Sequence, residues 1–218
     1  MLRKLIAPAV LAGALVASSA GAQAWNYPAL QAPTVSREYN FVVADGDAFG
    51  TSFVFQWRNP TGARSQLSFD GGMADTDAET YFMLGAAYSY QLARSRRDMP
   101  VDVLLTAGLN GAFGDPSNFY RIPVGVSVGH RFPLEGRIAI TPYAHPRLAI
   151  DHCADCTVDE TQIGVAFDLG ADVEFSPQLA MRVAAGFGGS DFFTDESTLG
   201  ISLAWTPAGG RSGGPRRR

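Results

Sequence analysis

From about residue 35 to residue 205 the chain places apolar side chains at every second position, with polar or small ones between them. A period of two gives a β-strand one oily face and one wet face. Tyr39, Phe41 and Val43 alternate with Glu38 and Asn40 in the first run, and Phe53, Phe55 and Trp57 mark the second. The third, residues 64–73, sends Leu67 and Phe69 one way and Gln66, Ser68 and Asp70 the other. Phe82, Leu84, Ala86, Tyr88, Tyr90 and Leu92 make a long fourth run, and in the fifth Val103, Leu105 and Leu109 oppose Asp102, Thr106 and Asn110. The sixth has Ile122, Val124, Val126, Val128 and Phe132 against Arg121, Pro123, Gly125, Ser127, Gly129 and Arg131. Four more follow, over residues 138–150, 162–175, 179–187 and 198–205, with turn chemistry such as Asn59-Pro60-Thr61-Gly62 and Pro133-Leu134-Glu135-Gly136 between runs. Pro142 and Pro146 remove ladder donors from the seventh run, where a bend or bulge is expected.

The count of about ten matters, because each run is near the ~9 to 11 residues that a tilted strand uses to cross a bilayer. An even count returns both chain ends to the same side. The pattern therefore predicts an all-β, antiparallel up-and-down transmembrane barrel of about ten strands, with eight as the alternative. A soluble β-sandwich also alternates, and two features argue against it. Trp57, Tyr90, Phe132, Phe175 and Trp205 close alternate runs on the apolar face at one end, as an interfacial aromatic girdle does. The connections also segregate by charge. Odd-numbered turns hold Asp45, Asp75, Glu79, Asp115, Asp151, Glu160 and Glu196 without arginine, and even-numbered turns and the tail hold Arg94, Arg96, Arg137 and Arg216.

The first residues change the picture further. Arg3 and Lys4, an apolar stretch and the small-residue site Ala22-Gln23-Ala24 read as a cleaved signal peptide over residues 1–24. Residues 25–34 read as an irregular lead-in, residues 35–205 as the barrel, and residues 206–218 as a disordered Arg- and Gly-rich periplasmic tail. Apolar residues make up 46% and charged residues 17%, a low charge for a soluble domain. Removing Arg3 and Lys4 from the 17 basic residues leaves 15 against 21 acidic ones, a net charge of −6 that argues against nucleic acid as a partner.

The last run, Thr198-Leu199-Gly200-Ile201-Ser202-Leu203-Ala204-Trp205, follows the order polar, any, Gly, any, any, apolar, any, aromatic. With the alternation, the girdle and the turn charges, it makes the chain resemble the small outer-membrane β-barrel superfamily of Gram-negative bacteria, the opacity-type and related barrels. The resemblance covers residues 35–205 and implies a cell-envelope protein of the outer membrane. It also implies contact with outer-membrane lipid and lipopolysaccharide, and insertion by the barrel assembly machinery.

Candidate chemistry is sparse. Cys153 and Cys156 lie in an exported chain, where a local disulfide is the preferred reading over a metal or redox site. Asp168, Asp172, Glu174, Arg182, Arg121, Arg131 and Arg147 face the interior and are expected to form a lumen charge network, with Asp172, Glu174 and Arg182 as the preferred group. Many inward glycines leave room for a passage. Divalent cations at the acidic extracellular loops are a possible accessory, and no cofactor is implied. The leading functional reading is a structural or surface-interaction barrel that is not an enzyme; a narrow porin-like pore for small polar solutes comes second. A lipid-modifying enzyme or protease ranks third, since His130, His145 and His152 match no motif.

Overall fold

The computed structural model describes residues 32–46, 50–76, 79–96, 99–115, 117–154, 156, 160–190 and 197–207. The expected signal segment, and the expected Arg-rich tail from residue 208 onward, lie outside these residues. The described chain forms β1 (Glu38–Gly46), β2 (Gly50–Pro60), β3 (Ser65–Asp75), β4 (Thr80–Ala93), β5 (Asp102–Phe113) and β6 (Asn118–Gly129). It continues through a two-residue β7 (Phe132–Pro133), β8 (Ala139–Ala154), β9 (Glu160–Glu174), β10 (Leu179–Gly189) and β11 (Ser197–Trp205). Successive long strands pair antiparallel, β6 pairs with β8, and β1 pairs with β11 through Tyr39↔Trp205 to Gly46↔Thr198. The ten long strands thus close into an up-and-down barrel without a free edge.

Alternation decides which side chains face in. Phe41 is 59% exposed and its neighbour Val42 6%, and the same contrast runs along every long strand. Phe53, Phe82, Leu109, Leu148, Ile163 and Leu203 project outward, giving the barrel an apolar exterior suited to lipid. Inside, Val42, Ala44, Val54, Ala74, Met83 and Ala112 form one apolar cluster, joined by Tyr81 and Phe119, at the end of the barrel remote from the chain termini. The turn after β1 needs glycine at Gly50. Its φ is 55°, and a Cβ there would lie 2.3 Å from the Asp75 carbonyl oxygen.

Three elements differ from the sequence reading. Pro142 and Pro146 cause no bulge: β8 keeps one register along both β6 and β9, and only its pairing to β6 lapses, opposite Val126 and Ser127. The register shift lies instead between Gln91 and Ala93, where β4 meets β5. The sixth run breaks after Gly129, so Phe132 belongs to β7, and β8 extends through Asp151, His152 and Cys153, shortening the expected loop.

The lead-in is not loose over its described part. Ala32, Pro33, Val35 and Ser36 are buried across the mouth at the terminal end of the barrel. Ser36 N donates to Gln66 Oε1 at 3.0 Å, and Gln91 Nε2 donates to the Pro33 carbonyl at 3.3 Å. Gly129 makes this seat possible, since a Cβ there would approach Pro33 Cγ to 2.9 Å.

Candidate functional site

The wet faces of ten strands line the interior, where polar side chains meet those of the next strand or the next but one. Burying charge there is costly unless each group finds a partner. The chain meets this with three ionic groups, each holding as many carboxylates as guanidinium groups.

The first joins the strands at the closure of the barrel. Glu38 on β1 accepts from Arg58 Nη1 at 2.8 Å, and from Arg182 through Nη1 at 2.6 Å and Nη2 at 2.9 Å. Arg182 also donates to Asn40 Oδ1 at 2.9 Å, and its Nε lies 3.5 Å from Asp172 Oδ1. Asn40 in turn donates to Gln56 Oε1 at 3.3 Å.

The second group spans β5, β8 and β9. Arg147 grips Asp168 by two bonds, Nε to Oδ2 at 2.8 Å and Nη2 to Oδ1 at 2.9 Å. His145, directly across the ladder from Asp168, places Nδ1 2.8 Å from Asp168 Oδ2 and Nε2 3.0 Å from Thr106 Oγ1. A hydroxyl, an imidazole and a carboxylate in line is the order of a nucleophile, a base and its orienter. Here all three are fully buried, and Arg147 already takes both oxygens of the carboxylate.

The third group is Arg121 with Asp151, opposite one another on β6 and β8. Nη2 donates to Oδ2 at 2.7 Å, and Nε donates to Oδ1.

The inward glycines do not leave a passage where they lie beside these groups, because neighbouring side chains take the space. A Cβ on Gly125 would lie 2.6 Å from both His145 Nε2 and Arg147 Cβ, and one on Gly170 would lie 2.3 Å from Tyr143 Cζ. Glycine here is the socket that lets a large side chain of the adjacent strand lie against the wall.

The alternation of the first run already places Glu38 on the lumen side. Of the seven charges expected to form the lumen network, Asp168, Asp172, Arg182, Arg121 and Arg147 are buried in these groups. Glu174 and Arg131 are not. The alternation fails past Gly129, so Arg131 emerges at the rim and binds Glu174 through Nε at 3.1 Å and Nη2 at 2.8 Å. Hydrogen bonding to Glu174 raises the Arg131 pKa. The expected trio of Asp172, Glu174 and Arg182 therefore divides, and Glu38 takes the central place. Asp151, read from the sequence as a loop acid, is an interior partner. Arg58 has a weaker sequence signal, lying next to Trp57 in the alternation and so on the wet face. Cys153 and Cys156 form the disulfide, with Cα atoms 5.9 Å apart. His130 stacks edge-on to Phe132, and His152 Nδ1 meets Thr161 Oγ1 at 2.9 Å. Trp57, Tyr90, Phe132, Phe175 and Trp205 are all exposed at the terminal end of the exterior. Among the described residues no group of three or more His, Cys, Asp or Glu side chains is placed to hold a metal ion.

No protein-family model and no curated protein sequence matches the chain. Solved structures do. A bacterial polysaccharide outer-membrane secretin is similar at 8% identity with a TM-score of 0.50, over 75% of this chain and 57% of that one. The chain thus spans little more than half the length of that protein. The β domain of the Bordetella autotransporter BrkA is similar at 7% identity and a TM-score of 0.48, over 79% of this chain and 100% of that one. The KdgM porin is similar at 7% identity and a TM-score of 0.40, over 78% of this chain and 98% of that one. At these identities the likeness is one of fold. The closed barrel and its apolar exterior are those of a transmembrane β-barrel.

Proposed function

We propose that the chain is a structural or surface-interacting barrel of the opacity type, with its lumen filled by side chains and its acidic loops facing outward. The observation that carries this reading is the charge balance of the three buried groups, together with the glycine sockets occupied by His145, Arg147 and Tyr143. A selective pore needs a ring of one sign or a row of free dipoles along an open path. Within the three groups the charges are spent on one another. In this role the exterior meets lipid, the acidic rim approaches lipopolysaccharide through divalent cations, and the assembly machinery reads the closing strand. The Thr106–His145–Asp168 line braces the wall and is assigned no catalytic step. Single-channel recording of the reconstituted protein tests the reading. The expected result is no resolved unitary current, and stable unitary openings would replace it.

A second reading, a narrow conduit for small polar solutes, is favoured by one place. Asp70 Oδ1 and both amide atoms of Asn110 are buried without a hydrogen-bond partner among the described residues. Both side chains lean over Gly85, where a Cβ would meet Asn110 Oδ1 at 2.3 Å and Asp70 Oδ2 at 3.1 Å. Openings abolished by Asn110→Leu would support that conduit.

A further inference from the structure

The rim at which the described residues begin and end differs in charge from the opposite one. Arg37, Arg64, Arg96, Arg131 and Arg137 are all exposed there. Arg131 is neutralised by Glu174 and Arg37 is held by Asn59, to whose Oδ1 its Nε donates at 3.0 Å, whereas the guanidinium groups of Arg64, Arg96 and Arg137 make no salt bridge with any described residue. At the far rim the exposed charges among the described residues are Asp45, Asp75, Asp115 and Glu160, and the only described arginine near it, Arg121, is buried against Asp151. A second observation locates the basic rim relative to a bilayer. Trp57, Tyr90 and Trp205 emerge at the same end, and Trp205 stacks on Tyr39 with centroids 5.5 Å apart. Amphipathic rings of this kind sit at the headgroup level. Arg64 follows β2 and Arg96 follows β4, so each leaves the wall within a few residues of a girdle aromatic. Unpaired guanidinium groups beside an apolar belt fit phosphate, which they bind by forked hydrogen bonds.

We propose that this rim is a docking ring for anionic phospholipid headgroups in the leaflet on the terminal side of the membrane. The ring rests on the transmembrane reading of the barrel. It gives the protein a lipid preference as well as a lipid-facing wall, and that preference is set by Arg64, Arg96 and Arg137.

The test is to reconstitute the protein into vesicles of equal parts phosphatidylcholine and phosphatidylglycerol, extract it gently, and weigh the lipid it retains by mass spectrometry. Each unscreened arginine near a membrane surface favours anionic lipid by about fivefold, so phosphatidylglycerol is expected to exceed phosphatidylcholine at least to that extent. The triple variant R64Q/R96Q/R137Q should approach parity, and the far-rim variant D45N/D75N should keep the preference. Salt on the order of 1 M should erase it in the unaltered protein. Parity in the unaltered protein overturns the proposal. So does an excess that survives high salt, or a folded triple variant that keeps it. Displacement by inorganic phosphate would assign the ring to free phosphate and overturn the lipid assignment. A chain with no heat-modifiable, inserted form overturns the barrel reading along with the ring, whereas an inserted barrel without preference defeats the ring alone. If the triple variant does not fold, the salt titration on the unaltered protein decides.

Discussion

Arg182 and Glu38 lie 144 residues apart in sequence and meet through two hydrogen bonds, at 2.6 and 2.9 Å. One stands on β10 and the other on β1, with β11 between them, so the pair reaches over the strand that closes the barrel.

Breaking this pair leaves a buried charge whose counter-ion is gone, which costs far more than the intact pair contributes. Arg182→Met is expected to lower the unfolding free energy in detergent or bilayer by about 3 kcal/mol. Arg58 still holds one oxygen of Glu38, which keeps the loss from being larger. Adding Glu38→Gln should deepen the loss, because Glu38 also pairs with the buried Arg58. Urea titration followed by heat-modifiable gel migration measures both. A single variant as stable as the parent would mean that water reaches Glu38.

Asp168 answers both Arg147 and His145, so Asp168→Asn is expected to cost about 3 kcal/mol or more by stranding the guanidinium. Thr106→Val removes one neutral hydrogen bond and should cost about 1 kcal/mol. The ratio separates a strut from a reacting centre. A Thr106 variant that folds normally but loses an acyl- or peptide-processing activity would reassign the line to catalysis.

The segment seated on Gln66 and Gln91 covers the terminal-side mouth, and Ser89 behind it is fully buried. In a refolded Ser89→Cys protein, a membrane-impermeant maleimide should label slowly, and removal of residues 1–36 should speed labelling at least about tenfold, the factor for about 1.4 kcal/mol of protection. Cys153 and Cys156 are tied to each other and do not compete for the reagent. Conductance should stay absent after the removal, because the ionic groups deeper in the lumen are untouched. Equal labelling with and without the segment would show that it does not seal the mouth.

Much of this molecule is legible in its sequence, because in a membrane barrel the period of two reports burial directly. Phe41 and Asn40 differ in exposure as their chemistry demands, at 59% and 1%. The faces and the closing strand can be read that way, and the Cys153–Cys156 bridge from the expected export of the chain. Partner choice cannot, because it depends on strand register and on reach over an intervening strand. Nothing near Arg182 in the chain points to Glu38, and adjacency suggests Glu174 instead. Alternation also misleads where a strand stops. Arg131 carries the parity of an inward residue, yet lies beyond the end of β6. The glycines mislead for a different reason: a sequence shows the missing side chain and not the neighbour that occupies the space. The seating of residues 32–36 has no periodic signal, since it depends on single hydrogen bonds to Gln66 and Gln91.

The lapses around β6 have a mechanical consequence. Its pairing to β5 fails at Ile122 and Pro123, and its pairing to β8 fails at Val126 and Ser127, so at each of these levels one neighbour alone holds it. In hydrocarbon no water can mend a missing ladder bond. A cylinder built of well-joined staves shares lateral pressure evenly around its hoop. With one slack stave it yields there first, and squeezing by the surrounding lipid would be felt along β6 as ovality, next to Arg121 and opposite the closure that Glu38 and Arg182 hold rigid.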